Sequence, residues 1–122
     1  MTAVDEITLT GLTVFGYHGV FDFERRQGQE FTIDLALQLS LSAAAASDDV
    51  VDTVHYGELA DRVAGIVAGE PVNLIETLAQ RIADATLEDR RVQNVTVTVH
   101  KPHAPIEQTF ADVSVTIRRG RA

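Results

Sequence analysis

Four side chains in this sequence could carry chemistry: Glu24, Tyr56, Glu76 and Lys101. Glu76 follows Asn73 by three residues at the start of a helical pattern. In one reading the two form a capping box. In the other, a carboxylate beside the free N–H groups of a helix N-terminus makes an adjacent set of acceptor and donors. That set matches the guanidine-like edge of a pterin or guanine ring. Lys101 follows a β-branched strand and precedes Pro102. Lysine there is commonly a solvated charge, but beside apolar walls it can serve in acid–base chemistry. Tyr56 is either packing at a helix start or a phenol that gives and takes one proton. Glu24, in a charged stretch between Gly19 and Gly28, reads by default as surface charge.

Metal chemistry finds little support in the spacing. His100 and His103 are separated by Pro102, and His18 and His55 belong to other segments. With no cysteine and no His-x-His or His-Glu-x-x-His pattern, no metal site is expected. Phosphate-cradling Gly-rich loops and Gly-x-Ser-x-Gly elbows are also missing.

The elements that must position these residues are readable from periodicity. Residues 6–17 form a predicted strand, with Gly11 marking a bulge. Residues 18–29 read as a loop. Phe31, Ile33, Leu35, Leu37, Leu39 and Leu41 alternate with polar or small residues, which puts six apolar side chains on one face of a long strand. The run Ala43–Ala46 is too short for a tether and precedes an acidic turn. Leu59, Val63, Ile66 and Val67 form one helical stripe, stopped by Gly69-Glu70-Pro71. Leu74, Leu78, Ile82 and Ala85 form a second, with Asn73 as the expected N-cap. Val95, Val97 and Val99, then Val113, Val115 and Ile117, mark two last strands. The fold class is therefore α+β: a four-stranded antiparallel sheet with two helices on one face, in a single domain spanning 1–122. The other face is rich in Thr, Ser and Gln, so it is either wet or lines a larger barrel built from several subunits.

The 122 residues carry a net charge of −8. Nucleic-acid binding, which needs a basic face, is not expected, and Arg118, Arg119 and Arg121 read as a solvated tail. No stretch has the roughly 20 apolar residues needed to span a bilayer. The N-terminus lacks the pattern of a signal peptide. The expectation is a cytoplasmic protein acting on a small molecule.

Four stretches together resemble dihydroneopterin aldolase. They are Gly16-Tyr17-His18-Gly19 with Gly28-Gln29, Asp52-Thr53-Val54-His55-Tyr56, Asn73-Leu74-Ile75-Glu76-Thr77-Leu78-Ala79 and Lys101-Pro102-His103-Ala104-Pro105-Ile106. Each is weak alone, but their order covers nearly the whole chain. The resemblance implies a tunnelling fold assembled as a homo-oligomer, tetramer or octamer, with sites between subunits. It implies cleavage of 7,8-dihydroneopterin, with epimerisation to 7,8-dihydromonapterin, and neither metal nor cofactor. Lys101 would be the main acid–base residue. Tyr56 would come from the neighbouring subunit and take part in proton transfer, and Glu24 would contact the side-chain hydroxyls or an ordered water. Glu76, with backbone near Leu74 and Ile75, would anchor the pterin ring. Thr53 and Val54 would line it from across the interface. The family often has proline after Ile106, where this chain has Glu107.

Overall fold

The computed structural model describes residues 4–121. Strands β1 (Asp5–Gly16), β2 (Gln29–Leu39), β3 (Asn94–His100) and β4 (Ser114–Gly120) form one antiparallel sheet in chain order. The expected bulge in β1 is present. The β1–β2 register shifts between Leu9 and Leu12, and Gly11 takes φ +78°, a conformation that favours glycine.

Alternation along β2 and β3 sets the core. Phe31, Ile33, Leu35, Leu37 and Leu39 and, beside them, Val95, Val97 and Val99 are almost wholly removed from solvent. They meet Leu59, Val63 and Val67 of helix α3 (Tyr56–Ala68) and Leu78, Ala79, Ile82 and Ala83 of helix α4 (Ile75–Thr86) in one cluster. Each large side chain so buried contributes roughly 1.5–3 kcal/mol. Truncating one such as Ile33 to Ala costs about 2–5 kcal/mol. The opposite sheet face is polar, with hydroxyl pairs Thr13–Thr32 (3.3 Å) and Thr98–Thr116 (2.9 Å).

Several expectations need correction. Leu41 lies beyond the end of β2, so five rather than six apolar side chains share that strand's inner face. The stretch 18–29 is not all loop, because Asp22–Gln27 forms helix α1. Only Glu24 in it is buried, so it shows no apolar stripe. Its support is the placement of Asp22 and Glu24 in the first turn and Arg25 and Arg26 in the last, which complements the helix dipole. Ser42–Ser47 forms helix α2, which alanine's high propensity favours and a left-handed Asp48 terminates. The chain thus has four α-helices among its described residues, of which the two long ones, α3 and α4, pack on the sheet.

Helix α4 begins at Ile75 with Leu74 as its N-cap and no side-chain cap bond, so Asn73 does not form the expected capping box. Its amide oxygen is taken instead by the Arg25 guanidinium. The C-terminal arginines are not a loose tail. Arg118 and Arg119 belong to β4, and Arg121 donates to the carbonyls of Leu87, Asp89 and Val92 beyond α4.

Candidate active site

Two short backbone features bring Glu24 and Lys101 together. Helix α1 turns the Glu24 side chain inward, and Gly19 makes room for it. A Cβ at Gly19 would lie 2.3 Å from Glu24 Oε1. Lys101 N–H donates to the Val113 carbonyl (2.7 Å), which extends the β3–β4 ladder by one residue before Pro102 ends it. The Lys101 Nζ then lies 2.6 Å from Glu24 Oε2, with the two side chains only 12% and 1% exposed. Neither residue is the surface charge that its local sequence suggests.

The rest of the Glu24 carboxylate is also engaged. Oε2 accepts from Gln29 Nε2 (3.0 Å) and Oε1 from Phe21 N–H (3.3 Å). Burial pushes this carboxyl's pKa up, but the Lys101 hydrogen bond and the Phe21 N–H outweigh it and hold the group below the usual carboxylate range. Glu24 is therefore ionised at neutral pH. Beside it, Gln29 Oε1 is buried with no partner among the described residues.

The start of α4 is tied to the same region. Gly19 N–H donates to the Val72 carbonyl (2.9 Å), and Arg25 reaches Asn73. His18 is a strut between them and α3. Its Nδ1 accepts from Val72 N–H (3.0 Å), so Nε2 carries the proton and donates to the Val67 carbonyl (2.6 Å). Burial lowers its pKa, in spite of the Val67 bond, and the ring stays neutral. Sequence reading treated His18 only as a possible metal ligand. Its strut role has no local signature, since both partners lie some fifty residues on.

At this anchored helix start Ile75 points into the core, Leu74 is half exposed, and Glu76 is exposed. Among the described residues, the Glu76 carboxylate has no hydrogen-bond or ion-pair partner. The same holds for the N–H groups of Ile75 and Glu76, which lie in the first turn with no intrahelical acceptor. An acceptor and two donors are left open side by side.

The structure does not bring Thr53, Val54 and Tyr56 to that place. They line a cleft of about 400 Å³ with Val50 and His55. Val54 is buried, while Tyr56 is 65% exposed at the first residue of α3. The other end of α3, at Val67, touches His18 beside the start of α4. At 1.5 Å per residue, Tyr56 is roughly 16 Å from that end. The sheet gives a similar span. Leu37 lines an adjoining cleft of about 470 Å³ with Thr53 and Val54, while Thr32 pairs with His100 next to Lys101. Five residues of strand cover roughly 17 Å.

A further constellation escaped the sequence reading. His100 Nε2 lies 2.6 Å from Asp34 Oδ2, and its Nδ1 lies 2.7 Å from Asp112 Oδ2. Only the strand register reveals this contact. Among the described residues, no group of three or more His, Cys, Asp or Glu side chains is arranged to hold a metal. Among the same residues, no helix is long and apolar enough to cross a membrane.

Comparison with known proteins gives a consistent result. The family model for dihydroneopterin aldolase (FolB) matches residues 7–118. A dihydroneopterin aldolase of Streptomyces coelicolor is 52% identical over 118 residues, which is 97% of this chain and 99% of the relative. The E. coli dihydroneopterin aldolase, solved in complex with neopterin, superposes with a TM-score of 0.87 at 31% identity, covering 95% of this chain and 99% of the other. The Burkholderia thailendensis dihydroneopterin aldolase, solved bound to guanine, gives a TM-score of 0.80 at 25% identity, covering 98% and 93%.

Proposed function

This chain belongs to the dihydroneopterin aldolase family, and from that premise we propose that it splits 7,8-dihydroneopterin into 6-hydroxymethyl-7,8-dihydropterin and glycolaldehyde, without metal or Schiff base. The observation that carries this reading is the buried Glu24–Lys101 pair at 2.6 Å. The neopterin in the E. coli relative supports the substrate class. The guanine in the Burkholderia relative fits a site that grips a guanidine-like edge.

The chemistry needs little from the protein. The dihydropterin has a ring C=N bond next to its side chain. A base removes the 2′-hydroxyl proton and the C1′–C2′ bond breaks, releasing glycolaldehyde. The bonding electrons pass into the ring, where the imine becomes an enamine. Protonation at C1′ then restores the imine and completes the product. The ring is the electron sink, so the protein supplies orientation and proton transfer. Positioned acid–base groups typically contribute ~10²- to 10⁴-fold, and orientation adds more.

In this reading Lys101 moves protons at the side-chain end of the substrate. Glu24 holds the ammonium and, with the open Gln29 Oε1, faces a substrate hydroxyl or an ordered water. Glu76 accepts from the pterin amino group and ring N–H, while the N–H groups of Ile75 and Glu76, with Leu74 beside them, face the ring's acceptors. Tyr56, Thr53 and Val54 serve a site on the neighbouring subunit, because Tyr56 stands roughly 16 Å along α3 from the end that touches His18 beside the α4 start of their own chain. A homo-oligomeric barrel, tetramer or octamer, would close the open β1 and β4 edges. Return of glycolaldehyde to the enamine with the opposite face exposed inverts C2′, which gives 7,8-dihydromonapterin as a second product.

The test is release of glycolaldehyde from 7,8-dihydroneopterin with a chelator present, followed by chromatography of the pterins. Glycolaldehyde, the hydroxymethyl product and some dihydromonapterin are expected. No release, or release abolished by the chelator, would overturn the reading. A single pterin product would remove the epimerase activity from it.

A further inference from the structure

The polar face of the sheet carries one charged cluster that the chemistry above does not use. His100 is the last residue of β3. One of its ring nitrogens meets Asp34 on β2 and the other meets Asp112, which lies just ahead of β4. An ionised carboxylate only accepts hydrogen bonds, so both ring nitrogens must donate and the ring is an imidazolium. The second oxygen of Asp34 accepts from Gly11 N–H at the β1 bulge (2.8 Å). One ring thus joins β2, β3 and the chain leading into β4, and through Asp34 it reaches β1.

Lys101 is the next residue. Its backbone N–H bonds to the carbonyl of Val113, the neighbour of Asp112. The two ends of the segment 102–112 are therefore tied twice, once by backbone and once by the His100–Asp112 bond. Successive side chains along a strand point to opposite faces. His100 accordingly sits on the polar face, and Lys101 goes to the helix-covered face, where Glu24 waits. Pro102 removes the next ladder donor. The sheet register on both sides of β3 ends at His100, paired with Thr32 and Ser114. Beyond it, the backbone of Lys101 has its one bond to Val113, and the His100 clamp braces the turn-off on the other side.

We propose that His100 is a positioning residue for Lys101: bridging Asp34 and Asp112 on one face of the sheet, it fixes the strand end from which the lysine meets Glu24 on the other. The proposal rests on the aldolase reading for its catalytic consequence but not for the linkage itself. The charged groups facing the ring are Asp34 from β2 and Asp112 from the segment before β4. From β1 only the Gly11 N–H approaches, through Asp34, and the β4 register partner is the uncharged Ser114. The bonds to Asp112 and then Asp34 raise the ring's pKa against the effect of burial. The clamp is therefore kept to higher pH than an ordinary histidine would keep it and is lost as pH rises through that raised value. A neutral imidazole has one N–H and one lone pair, so one carboxylate must then let go.

Lys101 is the chain's only lysine, which gives a direct probe. In protein labelled with 13C-lysine, the single Cε signal would be followed with the His100 ring signal through a pH titration. A step in the lysine signal at the histidine's inflection supports the proposal. A lysine signal indifferent to that inflection overturns it, whether or not the protein is an aldolase. The activity arm uses His100→Gln and Asp112→Asn, with glycolaldehyde release read against pH and neopterin affinity measured in parallel. The expected result is a fall in kcat of about tenfold, as for a small misplacement of a reacting group, with neopterin affinity within twofold and the alkaline limb moved. Active wild type with unchanged kcat and pH profile in both variants would reduce the cluster to a structural brace and overturn the proposal. If His100→Gln fails to fold, Asp112→Asn, whose side chain is more exposed, and the wild-type titration decide.

Discussion

The Glu24–Lys101 pair and the start of α4 are tied into the same region, yet one is complete and the other open. The pair is buried, and three groups of the same chain engage Glu24: Lys101, Gln29 and Phe21. Glu76 and the N–H groups beside it are exposed and have no partner among the described residues. On the proposed function the difference separates two kinds of work. A group that moves protons must be held in place before the substrate arrives, so its neighbours are built into the chain. A group that grips a ring edge must keep its donors and acceptors free for that ring. Tyr56, exposed at the far end of α3, lies outside both regions.

The sharpest way to break this comparison is to empty the completed half. Lys101→Met is expected to lower kcat by about 10²- to 10⁴-fold, with neopterin still bound. It also leaves Glu24 buried and unpaired, so stability falls. Adding Glu24→Gln to the same chain should restore the melting temperature and not the turnover. Recovery of both would mean that the lysine acts only as a structural counter-ion.

Next in size is Glu24→Ala. Removing one partner of a buried ion pair costs about 3–5 kcal/mol, which denaturant unfolding would read. A loss near zero would show that the pair is effectively solvated. In the open half the pattern should reverse. Glu76→Ala is expected to weaken neopterin by about 10- to 100-fold, as for a lost hydrogen bond to a charged group. Its unfolding free energy should stay within about 0.5 kcal/mol of wild type, as at an exposed position. Retained affinity would return Glu76 to an ordinary helix-start acid.

The smallest effect concerns pH. His18 is held neutral, with its pKa below the ordinary 6.5. The unfolded chain then binds more protons than the folded one below about pH 6.5, so stability declines as pH falls past that value. His100 has its pKa raised, so its contribution is present at low pH and is lost as pH rises through the raised value. His18→Asn should flatten the acid side of a melting-temperature profile and leave the alkaline side alone. A change on the alkaline side instead would assign the two histidines wrongly.

Much of the scaffold was legible because it is periodic. The alternation through β2 and β3 and the stripes of α3 and α4 report burial directly. Helix α1 was not, because it buries one residue and that residue is a glutamate. Nor was the uncapped start of α4, where Asn73 is drawn away by Arg25 from a distant segment. The four chemical residues could be nominated from motif resemblance. What their local sequence hid was state: Glu24 and Lys101 look like surface charges, and only their contact across the fold makes them a buried pair. The Asp34–His100–Asp112 bridge was invisible for the same reason, since it depends on strand register.

In the proposed oligomer the Glu24–Lys101 pair and Glu76 of one subunit meet Tyr56 of the next. Mixing two weakened variants, Lys101→Met and Tyr56→Phe, after partial unfolding and joint refolding tests it most directly. Hybrid oligomers should regain a substantial fraction of wild-type glycolaldehyde release, because some sites then hold an intact lysine from one chain and an intact tyrosine from the other. Activity no higher than that of the two variants refolded apart would place both residues in sites of a single chain and contradict the account.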